Sequence, residues 1–167
     1  MIYLVVGIII LVIICGVLFL FNYLKLKEFS NVIDVCVNNI EEALDRQDKE
    51  IVKILVGVKD QKIKETYVIK DNFDLFEKED LIFNVSWNIN KYFEDKKVKK
   101  KDKEILRNIN SIEEEIEGLK DYYNSNSIKY NELYNKIPFV YIFKLLKLES
   151  KKVFKLRKLE NYEILKD

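Results

Sequence analysis

Carboxylates are the side chains of this chain best suited to proton-transfer chemistry. Four of them lie close together at Glu113, Glu114, Glu115 and Glu117, and paired carboxylates can act as general acid and base. The helical register, however, directs Glu114 and Glu117 outward, as on a solvated helix face. We therefore expect no catalytic residue. The alternative, a carboxylate-dependent enzyme, requires two paired carboxylates in a deep pocket.

Several other kinds of chemistry lack the residues they need. Histidine is absent from the 167 residues, which excludes Ser-His-Asp and Cys-His nucleophile pairs and the commonest metal ligand. The four glycines form no phosphate-binding loop, and the two cysteines, Cys15 and Cys36, have no metal-ligand spacing. We therefore expect no cofactor and no metal. The net charge of +1 argues against nucleic-acid binding.

The first 21 residues, Met1 to Phe21, carry no charged side chain. About twenty helical residues span roughly 30 Å, the thickness of the hydrocarbon core of a bilayer. A cleaved signal peptide would have a basic start and a shorter apolar core, and Ile14 before Cys15 disfavours a lipoprotein signal. A buried core helix is the remaining alternative. The pattern predicts a transmembrane anchor over residues 1–23.

Charge bias predicts the orientation of this anchor. Lys25 and Lys27 follow the apolar stretch within a few residues, whereas only the α-amino group precedes it. The positive-inside rule therefore predicts a single-pass protein of the cell membrane, with a short N-terminus outside and a cytoplasmic C-terminal domain.

Beyond the anchor, apolar residues recur at three- and four-residue spacing, which is typical of amphipathic helices. We expect an all-α fold in which the anchor is continuous with the first long helix of an antiparallel bundle. Residues 24–137 form this bundle, with helices at about 24–62, 72–94 and 102–137. The first stripe is Leu26, Phe29, Ile33, Cys36, Ile40 and Ala43, drifting onto Val37, Leu44, Ile51, Ile54 and Val58. The last is Ile105, Ile109, Ile112, Ile116, Leu119, Tyr123, Asn126, Tyr130, Leu133 and Ile137.

Asn126 is the polar exception in the last stripe. A buried asparagine there would fix the helix register or bind a polar group of a partner. Alternatively, Asn126 is partly exposed near a helix end. Pro138 is predicted to end this helix.

Residues 138–167 form an apolar and basic C-terminal segment. Its apolar part, residues 139–148, is too short to span a bilayer. It either lies in the membrane interface with its lysines toward water or closes the end of the bundle. The basic side chains are candidates for contact with an anionic lipid surface: Lys144, Lys147, Lys151, Lys152, Lys155, Arg157 and Lys158.

The chain resembles the LemA family of membrane proteins. The resemblance rests on Asn22, Leu24 and Leu26 in the first helix, on Glu113, Ile116 and Lys120 in the later helix, and on the pattern Tyr123-Asn124, Ile128, Tyr130-Asn131 and Pro138. It covers nearly the whole chain. The stretch from Lys59 to Glu79 is shorter than in the family, so that the family's second helix is reduced or missing.

The resemblance implies an N-terminal membrane helix and a cytoplasmic helical bundle, and it supplies no reaction. The rings of Tyr123 and Tyr130 should be buried while their hydroxyls seek partners, for which Asn124 and Asn131 are candidates. This arrangement indicates either a structural fastening or a ligand site. We expect a non-catalytic scaffold or adaptor whose partners are the bilayer and other membrane proteins or further copies of itself. The alternative is a lipid-sensing or membrane-shaping module that uses the C-terminal segment.

Overall fold

The structure, a computed structural model, describes residues 1–58, 61–67, 73–94, 98–134 and 136–157. In this described part the chain is helical and contains no strand. The helices are α1 (Ile2–Leu55), α2 (Gln61–Thr66), α3 (Leu75–Glu94), α4 (Lys100–Tyr134) and α5 (Phe139–Leu146). The predicted all-α class is confirmed.

The first helix confirms that the apolar stretch and the first bundle helix are one element. α1 runs for 54 residues without interruption. Its N-terminal part is long and apolar enough to cross a membrane, and none of that part is buried within the protein. From Leu26 onward most of the predicted stripe is buried, with Ile33, Ile40 and Ile51 at most 1% exposed.

The chain divides into two units. Unit 1 comprises Met1–Cys36 and Tyr122–Val153, and unit 2 comprises Val37–Asp121 and Phe154–Asp167. Apolar side chains form the core of each. In unit 1 they are Leu26, Ile33, Cys36, Tyr123, Tyr130, Phe139, Ile142 and Phe143. In unit 2 they include Ile40, Leu44, Ile51, Ile54, Ile82, Val85, Ile89, Leu106 and Ile109.

In unit 2 three helices pack together, and α4 runs antiparallel to the other two, as an antiparallel bundle predicts. Gln47 of α1 lies against Glu113 of α4, and Arg46 lies against Glu115, so these helices run in opposite directions. α3 also runs antiparallel to α4, because Lys120 contacts Glu79 while Asn90 contacts Asn110. α1 and α3 are therefore parallel.

The chain between α1 and α3 is the region where the family resemblance predicts a reduced or missing second helix. Its described residues include only the six-residue α2. Tyr67, just after α2, donates a hydrogen bond from its hydroxyl to the Asp48 carboxylate of α1 (2.5 Å). Burial and this partner raise the pKa of the Tyr67 phenol.

A reciprocal pair of hydrogen bonds sets the start of α3. The Glu77 amide donates to the Asp74 carboxylate (2.8 Å), and the Asp74 amide donates to the Glu77 carboxylate (3.1 Å). This is a capping box, which satisfies two amides that the helix itself leaves unpaired. The cap predicted at Lys70-Asp71-Asn72 lies outside the described residues.

The prediction that α4 reaches residue 137 is wrong at its last turn. α4 ends at Tyr134, and Ile137 is 77% exposed. Pro138 explains the difference, because a proline disfavours helical backbone in the residue before it. Pro138 instead precedes α5 as its N-cap residue.

Candidate functional site

Two of the predicted signature residues hold the C-terminal segment of unit 1. The Asn131 side chain donates to the Lys151 carbonyl (2.7 Å) and accepts from the Lys151 amide (2.7 Å). The hydroxyl of the buried Tyr123 donates to the Lys152 carbonyl (3.0 Å). From positions about two helical turns apart on α4, the two side chains converge on the adjacent residues Lys151 and Lys152. Burial raises the pKa of the Tyr123 phenol.

Tyr130 contributes ring packing to the same unit. It is 2% exposed, and its ring meets Phe143 of α5 edge to face, with centroids 5.1 Å apart. Tyr134 makes a similar contact with Phe143 at 4.8 Å. The ammonium group of Lys151 lies 5.8 Å from the Tyr130 ring centroid. Tyr130 therefore joins α4, α5 and the C-terminal segment.

The other two signature asparagines are buried on α4, each 8% exposed. Asn126 donates to the Tyr122 carbonyl one turn back in its own helix (2.8 Å). The structure therefore places it inside the helix, away from an exposed end. The bonds of Tyr123 and Asn131 to Lys151 and Lys152 support a structural fastening for the Tyr-Asn pairs.

Glu113 lies in unit 2, in a different set of contacts. It is 4% exposed, and its carboxylate accepts from the Ser86 hydroxyl (2.8 Å) and the Gln47 amide (3.4 Å). Burial is the main cause that raises the pKa of Glu113 to about 7, opposed by the Ser86 hydrogen bond. The negative charge of Glu117 raises this pKa further, while Arg157 and Lys120 lower it.

Beside Glu113, unit 2 encloses a charge cluster that we define as Glu79, Glu117, Lys120 and Arg157. The ammonium of Lys120, with a fully buried side chain, lies 2.9 Å from Glu79 and 2.5 Å from Glu117. The prediction that Glu117 faces outward is wrong, because its side chain is only 13% exposed. Glu114 is exposed as predicted. Pairing with a lysine one helical turn along α4 compensates the charge of Glu117 in this largely enclosed position.

Arg157 completes the cluster instead of facing a lipid surface. Its side chain is 12% exposed, and its guanidinium lies 2.6 Å from Glu79 and also pairs with Asp80. Its backbone amide donates to Glu117 (3.0 Å), and the guanidinium lies 4.0 Å from the centroid of the Phe83 ring. These contacts pair the guanidinium within unit 2 and leave the side chain little exposed, which does not suit the predicted contact with a lipid surface.

Three residues earlier, Phe154 also packs within unit 2. It is 4% exposed and stacks on Phe76 of α3 with centroids 4.2 Å apart. The sequence gives little sign of this packing. Phe154 and Arg157 lie only three residues apart in a basic segment, which is too short for a periodic pattern of burial to appear.

The remaining predicted basic residues differ in their surroundings. Lys144, Lys147, Lys152 and Lys155 are exposed. Lys151 is half-buried and lies 3.9 Å from the Asp34 carboxylate. Lys158 lies outside the described residues. Sequence reasoning missed Glu79 altogether, and it placed Lys120 only within a family pattern. The available signal was the position of Lys120, four residues after Ile116 on the buried stripe.

The described part of the chain contains no group of three or more Cys, Asp or Glu side chains placed to hold a metal ion. Comparison with protein-family models, with curated proteins and with solved structures finds no match to this chain.

Proposed function

We propose that this chain is a single-pass membrane protein of the LemA type, in which a non-catalytic helical domain serves as a scaffold or adaptor. The observation that carries the proposal is the unbroken course of α1. Its exposed, uncharged N-terminal part continues into bundle helix without a break. A membrane span that continues directly as a bundle helix needs no separate linker between the bilayer and the domain, which suits a scaffold.

The site chemistry supports a scaffold over an enzyme. Among the described side chains, Glu113 has a pKa suited to proton transfer. It is buried, however, and its carboxylate is hydrogen-bonded to Ser86 and Gln47. The charged groups of the cluster pair with one another and hold the segment around Arg157 within unit 2. The lysines after the apolar stretch, Lys25 and Lys27, support a cytoplasmic position for the helical domain.

A groove on unit 2 offers a surface for a protein partner. It has a volume of about 660 Å³ between α1 and α4. Its lining comprises Arg46, Asp48, Lys49, Glu50, Val52, Lys53, Asn108, Ser111, Ile112 and Glu115. Three basic and three acidic side chains balance there, which suits a protein surface of mixed charge better than a polyanion such as nucleic acid.

Photocrosslinking in native membranes tests the scaffold proposal. A photoreactive amino acid replaces Val52, which lines the groove and is 47% exposed. A matched control replaces the exposed Lys101, which does not line it. We expect adducts of discrete mass, containing either a second copy or another membrane protein, from position 52 and fewer from position 101. Recovery of monomer alone from both positions would contradict the proposal.

A specific observation also favours the second candidate, a module that acts on the membrane surface. α5 is exposed at Tyr141 (63%) and Leu145 (69%), one helical turn apart. The candidate is narrower than the sequence indicates, because Phe154 and Arg157 are buried in unit 2. The exposed apolar side chains that this candidate would use lie on α5 in unit 1.

A further inference from the structure

Unit 1 contains an apolar groove next to the end of the apolar stretch of α1. Its volume is about 310 Å³, and it is lined by Tyr23, Leu26, Lys27, Ser30, Tyr130, Leu146 and Leu148. The α1 residues of this lining begin two positions after Phe21. At about 1.5 Å per residue, they extend from roughly 3 to 14 Å beyond the uncharged stretch. That interval overlaps the headgroup layer of a bilayer.

The walls of the groove are apolar, and its polar groups are few. Its lining combines three leucines and two tyrosines with one cation, from Lys27, and the hydroxyl of Ser30. This composition is typical of a site for an amphiphile, in which apolar walls hold a chain and a few polar groups orient a head. The volume suits part of an acyl chain.

The end of α5 is shaped to bring two leucines to this groove. Lys147 adopts a left-handed conformation (φ 52°, ψ 39°) as the C-cap residue, and the Leu148 amide donates to the Phe143 carbonyl (2.9 Å). This bond closes the last turn in the manner of a Schellman motif. A non-glycine residue in this conformation costs about 1 kcal/mol or more. The turn places Leu146 and Leu148 in the same lining.

The surroundings of the groove favour a lipid with a negative head. Residues 22–30 and 137–149 together carry four lysines, Lys25, Lys27, Lys144 and Lys147, against two acids, Glu28 and Glu149. On α5, adjoining apolar side chains are exposed at Tyr141 and Leu145. An apolar surface continuous with a membrane span is covered most readily by the lipid that surrounds that span.

We propose that this groove binds one acidic glycerophospholipid of the membrane, with an acyl chain against Leu146 and Leu148 and the phosphate toward Lys27. The inference rests on the proposed membrane anchoring by α1. It adds a defined lipid site to that anchor, and it makes α5 a second contact with the bilayer.

Native mass spectrometry of the full chain in nonionic detergent tests the site. Phosphatidylglycerol or phosphatidylcholine is titrated into wild type, Lys27→Gln and Lys25→Gln. Lys25 is the matched control, since it lies on the same helix but does not line the groove. We expect a one-to-one adduct that prefers phosphatidylglycerol. A lysine near a lipid surface is worth about 1 kcal/mol, so Lys27→Gln should weaken phosphatidylglycerol binding about fivefold. Lys25→Gln should change it less than twofold.

A second variant tests the apolar wall. Leu146 is 42% exposed, so Leu146→Gln leaves the core intact while it removes apolar surface from the groove. Both lipids should bind this variant more weakly, and the circular dichroism spectrum should match that of wild type. Unchanged lipid binding by Leu146→Gln would overturn the proposed acyl-chain contact.

Other outcomes would overturn the proposal and separate it from the anchor. Equal binding of both lipids, equal loss in the two lysine variants, or displacement of phosphatidylglycerol by inorganic phosphate would each remove the lipid site. Flotation of the chain with vesicles provides the distinction. A chain that floats without lipid preference retains its anchor and loses this site, whereas a chain that does not float overturns both.

Discussion

Residues 151–157 are held by uncharged hydrogen bonds at their start, in unit 1, and by ion pairs at their end, in unit 2. In unit 1 the uncharged side chains of Asn131 and Tyr123 bind backbone groups of Lys151 and Lys152. In unit 2 Arg157 enters a buried set of charges around Glu79. The difference shows where the protein depends on pH and on complete charge pairing. We expect unit 2 to carry that dependence, because its charged side chains are buried. Unit 1 relies mainly on apolar packing and on hydrogen bonds of uncharged side chains.

The largest expected effect comes from removing the buried cation of unit 2. Lys120→Met should lower the free energy of unfolding by about 3–5 kcal/mol, because Glu79 and Glu117 lose their buried partner. Denaturant unfolding of the full chain in detergent, followed by the fluorescence of the single tryptophan Trp87, measures this loss.

Lys53→Met is the control for Lys120→Met. Lys53 pairs with Glu50 on the same helix and its side chain is 58% exposed, so its removal should cost at most about 0.5 kcal/mol. Equal effects of the two substitutions would mean that unit 2 does not depend on its charge cluster.

The next effect concerns pH. The pKa of Glu113 is about 7 in the folded chain against an ordinary 4.5, so the folded state holds the proton more tightly. The resulting stabilisation, of order 3 kcal/mol, is complete below pH 4.5 and is lost as pH rises to 7.

Glu113→Gln should therefore remove this loss. The variant should equal wild type near pH 4.5 and exceed it at pH 8, and thermal unfolding between those values measures the difference. If the unfolding temperatures of wild type and variant differ by the same amount at every pH, the pKa of Glu113 is not raised in the folded chain.

A smaller effect is expected in unit 1. Asn131→Ala removes both hydrogen bonds to the Lys151 backbone and should cost about 1–3 kcal/mol. Hydrogen exchange at the Lys151 amide is the direct measurement, since this amide donates to the Asn131 side chain. Asn31→Ala, at an exposed position on α1, should leave that amide protected. Equal protection in both variants would contradict the fastening.

The smallest effect is expected at the pair of Arg46 and Glu115, whose side chains are 51% and 45% exposed. Solvent screens such pairs, so Arg46→Ala should change the free energy of unfolding by less than about 1 kcal/mol. Raising the salt concentration should abolish this difference. A loss of stability as large as that of Lys120→Met would contradict the claim that buried charges of unit 2 contribute more than exposed ones.

The helical stripes were predictable from the sequence, because burial follows the periodicity of apolar residues. Ile33, Ile40 and Ile51 lie on the predicted face of α1 and are buried. The same reasoning fails at the end of α4, where Pro138 outweighs the apolar pattern and leaves Ile137 exposed.

The charge cluster was not predictable in the same way. A basic residue in a polar C-terminal stretch is usually solvated, and no periodicity marks Arg157 as an exception. Its partners Glu79 and Glu117 lie 78 and 40 residues away in sequence, so only the packing of the bundle brings them together. Similarly, the Tyr-Asn pairs indicated a fastening, but the peptide groups that they hold could be identified only in the structure.

Protease accessibility of the full chain in a bacterial host tests the central claim most directly. In spheroplasts, membranes should retain the chain through an alkaline carbonate wash, and external protease should leave the helical domain intact until the cells are lysed. Replacing Ile10 and Ile13 of the apolar stretch by lysine should release the chain from the membrane. Release of the unaltered chain by carbonate would contradict the anchor, and digestion of its helical domain in unlysed spheroplasts would contradict the proposed orientation.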